Sequence, residues 1–403
     1  MPSSENADCF DIGIIGGGIA GAGIARDAAL RGLKVVLFEK NTFGSGTSSK
    51  SSKLIHGGIR YLELAWAALL KGKLYDFWEN FRFVFLSLRE TSILGNTAPD
   101  LVKPLQLVIP VYQSQGRSPL AVYFGAYLYS FLALLTGSHQ WPKILGNPEA
   151  VLKRIPNLKK ENLKGGVVIW DHVTDDLRLV QRIVQAAQKS GAQAFEHAAV
   201  THYQWLEAKQ CYELDVAQNS KTEKFHCKKL INASGPWIDQ VRRASGDTAP
   251  PYIAPIAGSH IHLKKFVPES VILQAQDSRV FFVINLGEIS RVGTTERAEK
   301  NPDALTATEE EVDYLLKSLQ NYFPGETFTK NQILSRDAGI RPLARPENNA
   351  SPNAISREHK ICTGKAGVLH IAGVKLTDHR RAAEEIVDRL APGRKSLTAK
   401  TPL

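Results

Sequence analysis

"CFDIGIIGGGIAGAGIARDAALRGLKVVLFEK", Cys9–Lys40, is the stretch whose reading decides the fold. Phe10–Ile15 is a short apolar run, Ile19–Leu30 has helical spacing, and Val35–Phe38 is a second apolar run. The stretch therefore predicts strand, tight turn, helix, strand. Gly16-x-Gly18-x-x-Gly21 stands where the first strand ends. Gly16 allows the tight turn, Gly18 lets backbone approach a pyrophosphate, and Gly21 permits close helix–strand packing. The helix N-terminus that follows favours anionic phosphate. Glu39 ends the second strand, 18 residues past Gly21, where an acid can bind ribose hydroxyls. Glycines kept only for packing would not require this acid, so the pattern points to a bound dinucleotide.

Outward from this unit lies "GTSSKSSKLIHGGIRYLE", Gly46–Glu63, a polar loop with no periodicity before Ile59. Its hydroxyls and glycines suit backbone wrapped round a ligand better than a solvated linker. NAD and FAD share the glycine fingerprint. The N-terminal position of the motif, this loop, and "INASGPW" ending a later strand at Ser234–Gly235 all favour FAD.

The chain has 403 residues, 43% hydrophobic and 22% charged, which fits a folded enzyme of one large or two joined domains. Its net charge of +10 comes from Lys and Arg spread along the chain, without an aromatic-interleaved basic stripe, which argues against nucleic acid. The four cysteines form no CxxC pair, and no tight Cys/His spacing suggests a metal. "MPSSENADCF" lacks a basic, apolar export signal, so a cytoplasmic location is expected. Ser118–Gly137 is uncharged and apolar, near the length of about 20 residues needed to span a bilayer. A core helix is the first expectation, an interfacial anchor the second and a span the third.

Beyond Ser259 the texture turns to alternating strands, including "RVFFVINLGEISRVGTTE", a hairpin with a Gly-Glu turn. "TEEEVDYLLKSLQNYF" reads as an amphipathic helix with Thr308 as N-cap. The expected fold class is α/β with an α+β second domain. A discontinuous, Rossmann-like FAD-binding domain covers 8–90, 165–245 and 333–392. A substrate domain built on an antiparallel sheet covers 91–164 and 246–332, and 393–403 is a tail.

The Asp11–Glu63 stretch, with "INASGPWIDQV", "GSHIHL", "ISRVGTTE", "SRDAGIRPL", "SPNAISREHKI" and "IAGVKLTDHR", closely resembles FAD-dependent glycerol-3-phosphate dehydrogenases, from Asp11 to Arg380 in order. The resemblance implies oxidation of sn-glycerol 3-phosphate to dihydroxyacetone phosphate, with hydride passing from C2 to flavin N5. Electrons would go to quinone, or to oxygen in oxidase relatives, at the cytoplasmic face of a membrane where the protein is peripheral. Arg341 and Arg357 match the family's phosphate-binding arginines, as a dianion's need for planar cationic forks suggests. Arg60 and Tyr61 match a pair placed over the substrate. Lys375 suits polarisation of a substrate oxygen or of reduced flavin. His260 is the candidate base, since a histidine near its ordinary pKa suits removal of the C2 hydroxyl proton. His262 lies on the same strand face. Lys40, Thr47, Ser48, Ser49, Ser52 and His56 are assigned to FAD, together with Val200, Ser234, Gly235, Gly373, Val374, Lys375, Leu376 and Thr377.

Two features depart from the family. "GVKLTDHR" stands where relatives read Gly-Gly-Lys-Leu-Thr-Thr-Tyr-Arg, so the Cβ of Val374 is expected to crowd a flavin or forbid a positive φ. The second is length: the expectation is a short form without the helical C-terminal domain usual in bacterial relatives, with no oligomeric state assigned. Other readings are a flavin dehydrogenase or oxidase for another small anionic hydroxy or amino acid, and a flavin-binding remnant without activity.

Overall fold

The structure is a computed structural model and describes residues 9–113, 118–138, 140–345 and 358–403. Strand β1 (Cys9–Ile15), helix α1 (Ile19–Leu30) and strand β2 (Val35–Phe38) form as the pattern predicts. Then come β3 (Leu54–Ile55), α2 (Arg60–Leu70), α3 (Leu74–Thr97), β4 (Val102–Tyr112), α4 (Pro119–Leu135), β5 (Lys143–Leu145) and α5 (Pro148–Leu152). The middle of the chain gives β6 (Leu163–Thr174), α6 (Asp176–Lys189), β7 (Gln193–Phe195), β8 (Ala199–Leu206), β9 (Cys211–Gln218), β10 (Lys221–Asn232) and α7 (Ile238–Ala244). The strands β11 (Ile253–Lys264), β12 (Ser270–Gln274), β13 (Val280–Leu286), β14 (Ile289–Gly293) and β15 (Arg297–Ala298) precede α8 (Glu309–Tyr322). The chain closes with β16 (Ile333–Ala344), β17 (Lys360–Thr363), β18 (Leu369–Ala372) and α9 (His379–Leu390).

These strands form two sheets. The first runs β17-β18-β10-β1-β2-β7, with β9 joining β10 and β8 joining β9. β1 pairs parallel with both β10 and β2, as a nucleotide-binding βαβ unit requires. The second sheet runs β15-β11-β14-β13-β12-β4-β6-β3, with β16 on β11 and β5 on β6. It is antiparallel except where β12 meets β4. Strands β6 and β16, placed by sequence in the nucleotide-binding segments, pair in the second sheet instead. Neither the apolar run of β6 nor the charged pattern of β16 names a sheet, and only their partners decide.

Local chemistry explains several elements. Alanines and glycines make α1 slim, so it is buried nearly all round beneath α6 and α9. Thr308 and Glu311 form a reciprocal capping box that starts α8. The β13–β14 turn is Gly287-Glu288, with φ of +75° at Gly287. Helix α4 corrects the core-helix expectation. Leu120, Phe124, Tyr127, Phe131 and Leu135 are exposed, while Ala126, Tyr129 and Leu132 face the core. Trp66 of α2 meets Phe124 with ring centroids 6.0 Å apart, and Leu70, Leu74, Tyr75 and Trp78 extend the apolar surface. Among the described residues, no helix is long and apolar enough to cross a membrane.

Candidate active site

A cavity of about 440 Å³ is lined from both sheets and from the Gly46–Glu63 loop. At the start of α1, Gly16 has φ of +104°, and a Cβ there would lie 2.7 Å from the Ala233 carbonyl oxygen, so only glycine makes this turn. A Cβ on Gly21 would lie 1.9 Å from the Gly16 carbonyl oxygen. Gly21 is thus a packing glycine and does not line the cavity. The Gly17 N–H donates to Glu39 Oε2 at 2.7 Å and the Asn41 N–H to Oε1 at 2.9 Å. These bonds pin the carboxylate at the cavity edge with lone pairs left for hydroxyl donors. The Ile19 N–H, first of the orphan donors of α1, donates to Ser48 Oγ at 2.9 Å. A helix N-terminus, a hydroxyl and a fixed carboxylate side by side fit the phosphates and ribose of FAD.

The cavity gathers most of the expected contacts. Gly16, Gly18, Glu39, Lys40, Thr47, Ser48, Ser52, His56, Val200, Ser234, Gly235 and Gly373 to Thr377 all line it. Lys40 also pairs with Asp303 at 2.9 Å and lies 4.0 Å from the Trp237 ring centroid. The Ser49 hydroxyl is turned away, toward the Ser45 and Gly46 carbonyls, each at 3.2 Å.

Tyr61, His260, Arg341 and Lys375 line the same cavity. Arg341 donates from Nη2 to Thr294 Oγ1 at 2.9 Å, with Nη1 3.6 Å from Glu296. The Lys375 ammonium lies 3.7 Å from the Phe83 ring centroid and 4.9 Å from that of Tyr61. Arg60 departs from the expectation. It is exposed at the first turn of α2 and does not line the cavity, because one residue of helix turns a side chain by roughly 100° from Tyr61. Arg357 lies outside the described residues.

His260 is buried, and its surroundings correct the reading of a base near its ordinary pKa. Burial pushes it down to about 4, with the Arg291 and Arg341 charges adding to this against the pull of Asp337. It is neutral at pH 7 and a weak base. Nδ1 lies 3.0 Å from Arg291 Nη2, and Nε2 2.9 Å from Ser52 Oγ.

Sequence reasoning missed Arg291 and Asp337. The pair is bidentate, at 2.6 Å and 3.0 Å. Burial alone would raise Asp337, but the His260 ring 3.5 Å away and the two bonds from Arg291 hold it well below the usual carboxylate range. A second missed group supports the loop. Tyr129 of α4 donates to the buried Asp171 at 2.6 Å and accepts from the Gly57 N–H at 2.9 Å. Burial pushes Asp171 up to about 7. For Arg291 and Asp171 the signal was a charge inside a largely apolar stretch, "ISRVG" and "VVIWDHV".

The departures in "GVKLTDHR" are absorbed by packing. Gly373 carries the positive φ of +75°, and Val374, absent from the left-handed region, packs on the core below the first sheet. Asp378 accepts from Ser87 at 3.3 Å, and His379 is buried and bonded to the Leu376 carbonyl at 2.8 Å. Among the described residues the four cysteines are free, and no group of three or more His, Cys, Asp or Glu side chains suits a metal.

The sequence profile described as FAD dependent oxidoreductase (DAO) matches residues 11–378. The aerobic glycerol-3-phosphate dehydrogenase of Staphylococcus saprophyticus is 35% identical over 396 residues, covering 96% of this chain and 68% of that protein. The Bacillus subtilis enzyme of the same name is 34% identical over 384 residues, covering 94% and 66%. The solved glycerol-3-phosphate dehydrogenase from Bacillus halodurans, complexed with FAD, superposes with a TM-score of 0.76 at 27% identity, covering 98% of this chain and 67% of that one. L-alpha-glycerophosphate oxidase from Mycoplasma pneumoniae shares the fold at a TM-score of 0.69 and 17% identity, covering 98% and 99%. The chain spans about two thirds of the length of these dehydrogenases.

Proposed function

This chain belongs to the FAD-dependent oxidoreductase family, and from that premise we propose that it oxidises sn-glycerol 3-phosphate to dihydroxyacetone phosphate at the C2 hydroxyl. The observation that carries this reading is that Arg341 and Lys375 open into the same cavity as the N-terminus of α1. Two cations beside a dinucleotide cradle suit a small phosphorylated alcohol. The relatives named as glycerol-3-phosphate dehydrogenases add the identity of that alcohol.

FAD supplies the acceptor for the hydride that leaves C2. Arg341, held against Thr294, takes the phosphate, with Arg357 assigned beside it from its motif. Lys375, held beside the rings of Phe83 and Tyr61, stabilises the negative charge that builds on the alcohol oxygen as its proton passes to solvent. Arg60 takes no part at the reacting centre, since it points to solvent.

Quinone is the proposed electron acceptor, reached by peripheral docking on the cytoplasmic face of a membrane. Support comes from the exposed apolar side chains of α2, α3 and α4. A patch of this kind is unusual on a soluble monomer, and exposed Arg60, Lys71 and Lys73 flank it with positive charge. The test is anaerobic. Glycerol 3-phosphate added to FAD-loaded protein bleaches the flavin, and a panel of small hydroxy and amino acids does not.

A further inference from the structure

His260, His262, Arg291 and Asp337 come from three neighbouring strands and share one face. β11 lies between β14 and β16, with His260 opposite Asp337 and His262 opposite Arg291. Arg291 is 2% exposed, and both terminal nitrogens of its guanidinium are engaged, while Nε has no hydrogen-bond partner among the described residues. Nη1 donates to His262 Nε2 at 2.5 Å and to Asp337 Oδ2 at 2.6 Å. Nη2 has two N–H groups for three acceptors, the Ser51 carbonyl at 2.7 Å, His260 Nδ1 at 3.0 Å and Asp337 Oδ1 at 3.0 Å, so one N–H is shared between two of them. A guanidinium donates and never accepts. A ring nitrogen that accepts from it is therefore the unprotonated one.

We propose that Arg291, held by Asp337, is a positioning residue that fixes His260 as its Nε2–H tautomer, so that His260 donates to the Ser52 hydroxyl and does not serve as the proton acceptor of the cavity. The Ser52 oxygen, 2.9 Å from Nε2, then accepts from the ring, and its own O–H is left to point at another acceptor along the cavity wall. The ring lies against Gly293, where a Cβ would fall 2.3 Å from its Cδ2, so only glycine leaves it this place. Asp337 Oδ1 is also near Nδ1, but at 3.5 Å it is the weaker claimant while the ring is neutral. The same fork grips the Ser51 carbonyl, so one arginine orders both the histidine and the cofactor-facing loop. The role in the reaction rests on the proposed oxidation; the tautomer does not.

The ring is faced by Arg291 from β14, Asp337 and Arg341 from β16 and Ser52 from the loop, with His262 two residues along its own strand. The test is two-dimensional nitrogen–proton NMR of histidine-labelled, FAD-loaded protein, with His260 identified by the signal lost in His260→Gln. The expected spectrum at pH 7 has Nδ1 unprotonated and Nε2 protonated, with full protonation only near pH 4. Ser52→Ala should keep that tautomer, because a hydroxyl accepts or donates equally and cannot choose. Arg291→Gln should release it and raise the ring's pKa, while Arg291→Lys restores the bias. An Nδ1–H or doubly protonated ring at pH 7, or a tautomer that changes in Ser52→Ala, overturns the proposal even if Arg291→Gln fails to fold. In activity, Arg291→Gln should slow flavin reduction by about tenfold or more at saturating glycerol 3-phosphate, with little change in the half-saturating concentration. If wild-type protein is not reduced at all, the proposed substrate is wrong, and the spectrum still decides the tautomer.

Discussion

The Lys375 ammonium sits 3.7 Å from the centre of the Phe83 ring, joining the turn before α9 to the buried side of α3. A cation over an aromatic face is worth about 0.5–2 kcal/mol, which favours one place for the ammonium. Lys375→Ala should therefore keep FAD and fold but slow flavin reduction by about a hundredfold, the range for losing one preorganised electrostatic contact. Lys375→Arg should recover part of the rate. Stopped-flow absorbance of the flavin reads both, and an undiminished rate in Lys375→Ala would remove the lysine from the chemistry.

Gly18 and Gly21 separate cradle from packing. A Cβ on Gly18 would lie 3.1 Å from Ser48 Oγ, a contact a hydroxyl can relieve by rotating. Gly18→Ala should fold and lose FAD affinity. A Cβ on Gly21 would lie 1.9 Å from a backbone oxygen, which cannot yield. Gly21→Ala should cost about 3 kcal/mol or more, or prevent folding. Thermal melts of the apoprotein, with flavin titration, separate these two outcomes.

Asp171 gives stability a pH dependence whose sign can be worked out. Its folded pKa, near 7, lies above the unfolded value of about 3.9, so the folded state holds the extra proton between these values. Stability from this group falls as pH rises from about 4 to about 7, by a few kcal/mol at most. His260, His370 and His379 act oppositely, since burial pushes each down to about 4. Their contribution is lost as pH falls below about 6.5, and three such groups outweigh one aspartate, so the wild type should lose stability on acidification. Asp171→Asn isolates the aspartate. Its stability relative to wild type should climb from pH 4 to pH 7 in denaturant melts, and a pH-independent difference would show that Asp171 titrates normally.

The exposed face of α2 and α4 predicts lipid binding. Trp66→Ser with Phe124→Ser should reduce sedimentation with anionic vesicles several-fold, and rising salt should weaken wild-type binding through Lys71 and Lys73. Equal recovery of wild type and double variant with the vesicles would leave that face without this role.

The β1–α1–β2 unit was legible because its signals are local: two apolar runs, helical spacing and glycines at a turn. Sheet membership was not, as β6 and β16 show, because a strand's own residues do not name its partner. Much of the cavity lining was legible for the same local reason, since Glu39 and Ser48 follow directly on the βαβ unit that the glycines open. Arg60 and Tyr61 could not be told apart, because they are adjacent and a single helical step decides which faces the cavity. Arg291 and Asp337 meet only through the register of β14, β11 and β16, and lie 46 residues apart in sequence. Nothing in their spacing announces the pair, and with it goes the environment that makes His260 a weak base.

The central claim is tested most directly by adding sn-glycerol 3-phosphate to the FAD-loaded protein without oxygen and following the flavin absorbance. The oxidised band should bleach with one equivalent of dihydroxyacetone phosphate formed per flavin. A fully FAD-loaded sample that stays yellow with excess glycerol 3-phosphate, while a chemical reductant still bleaches it, would contradict the account.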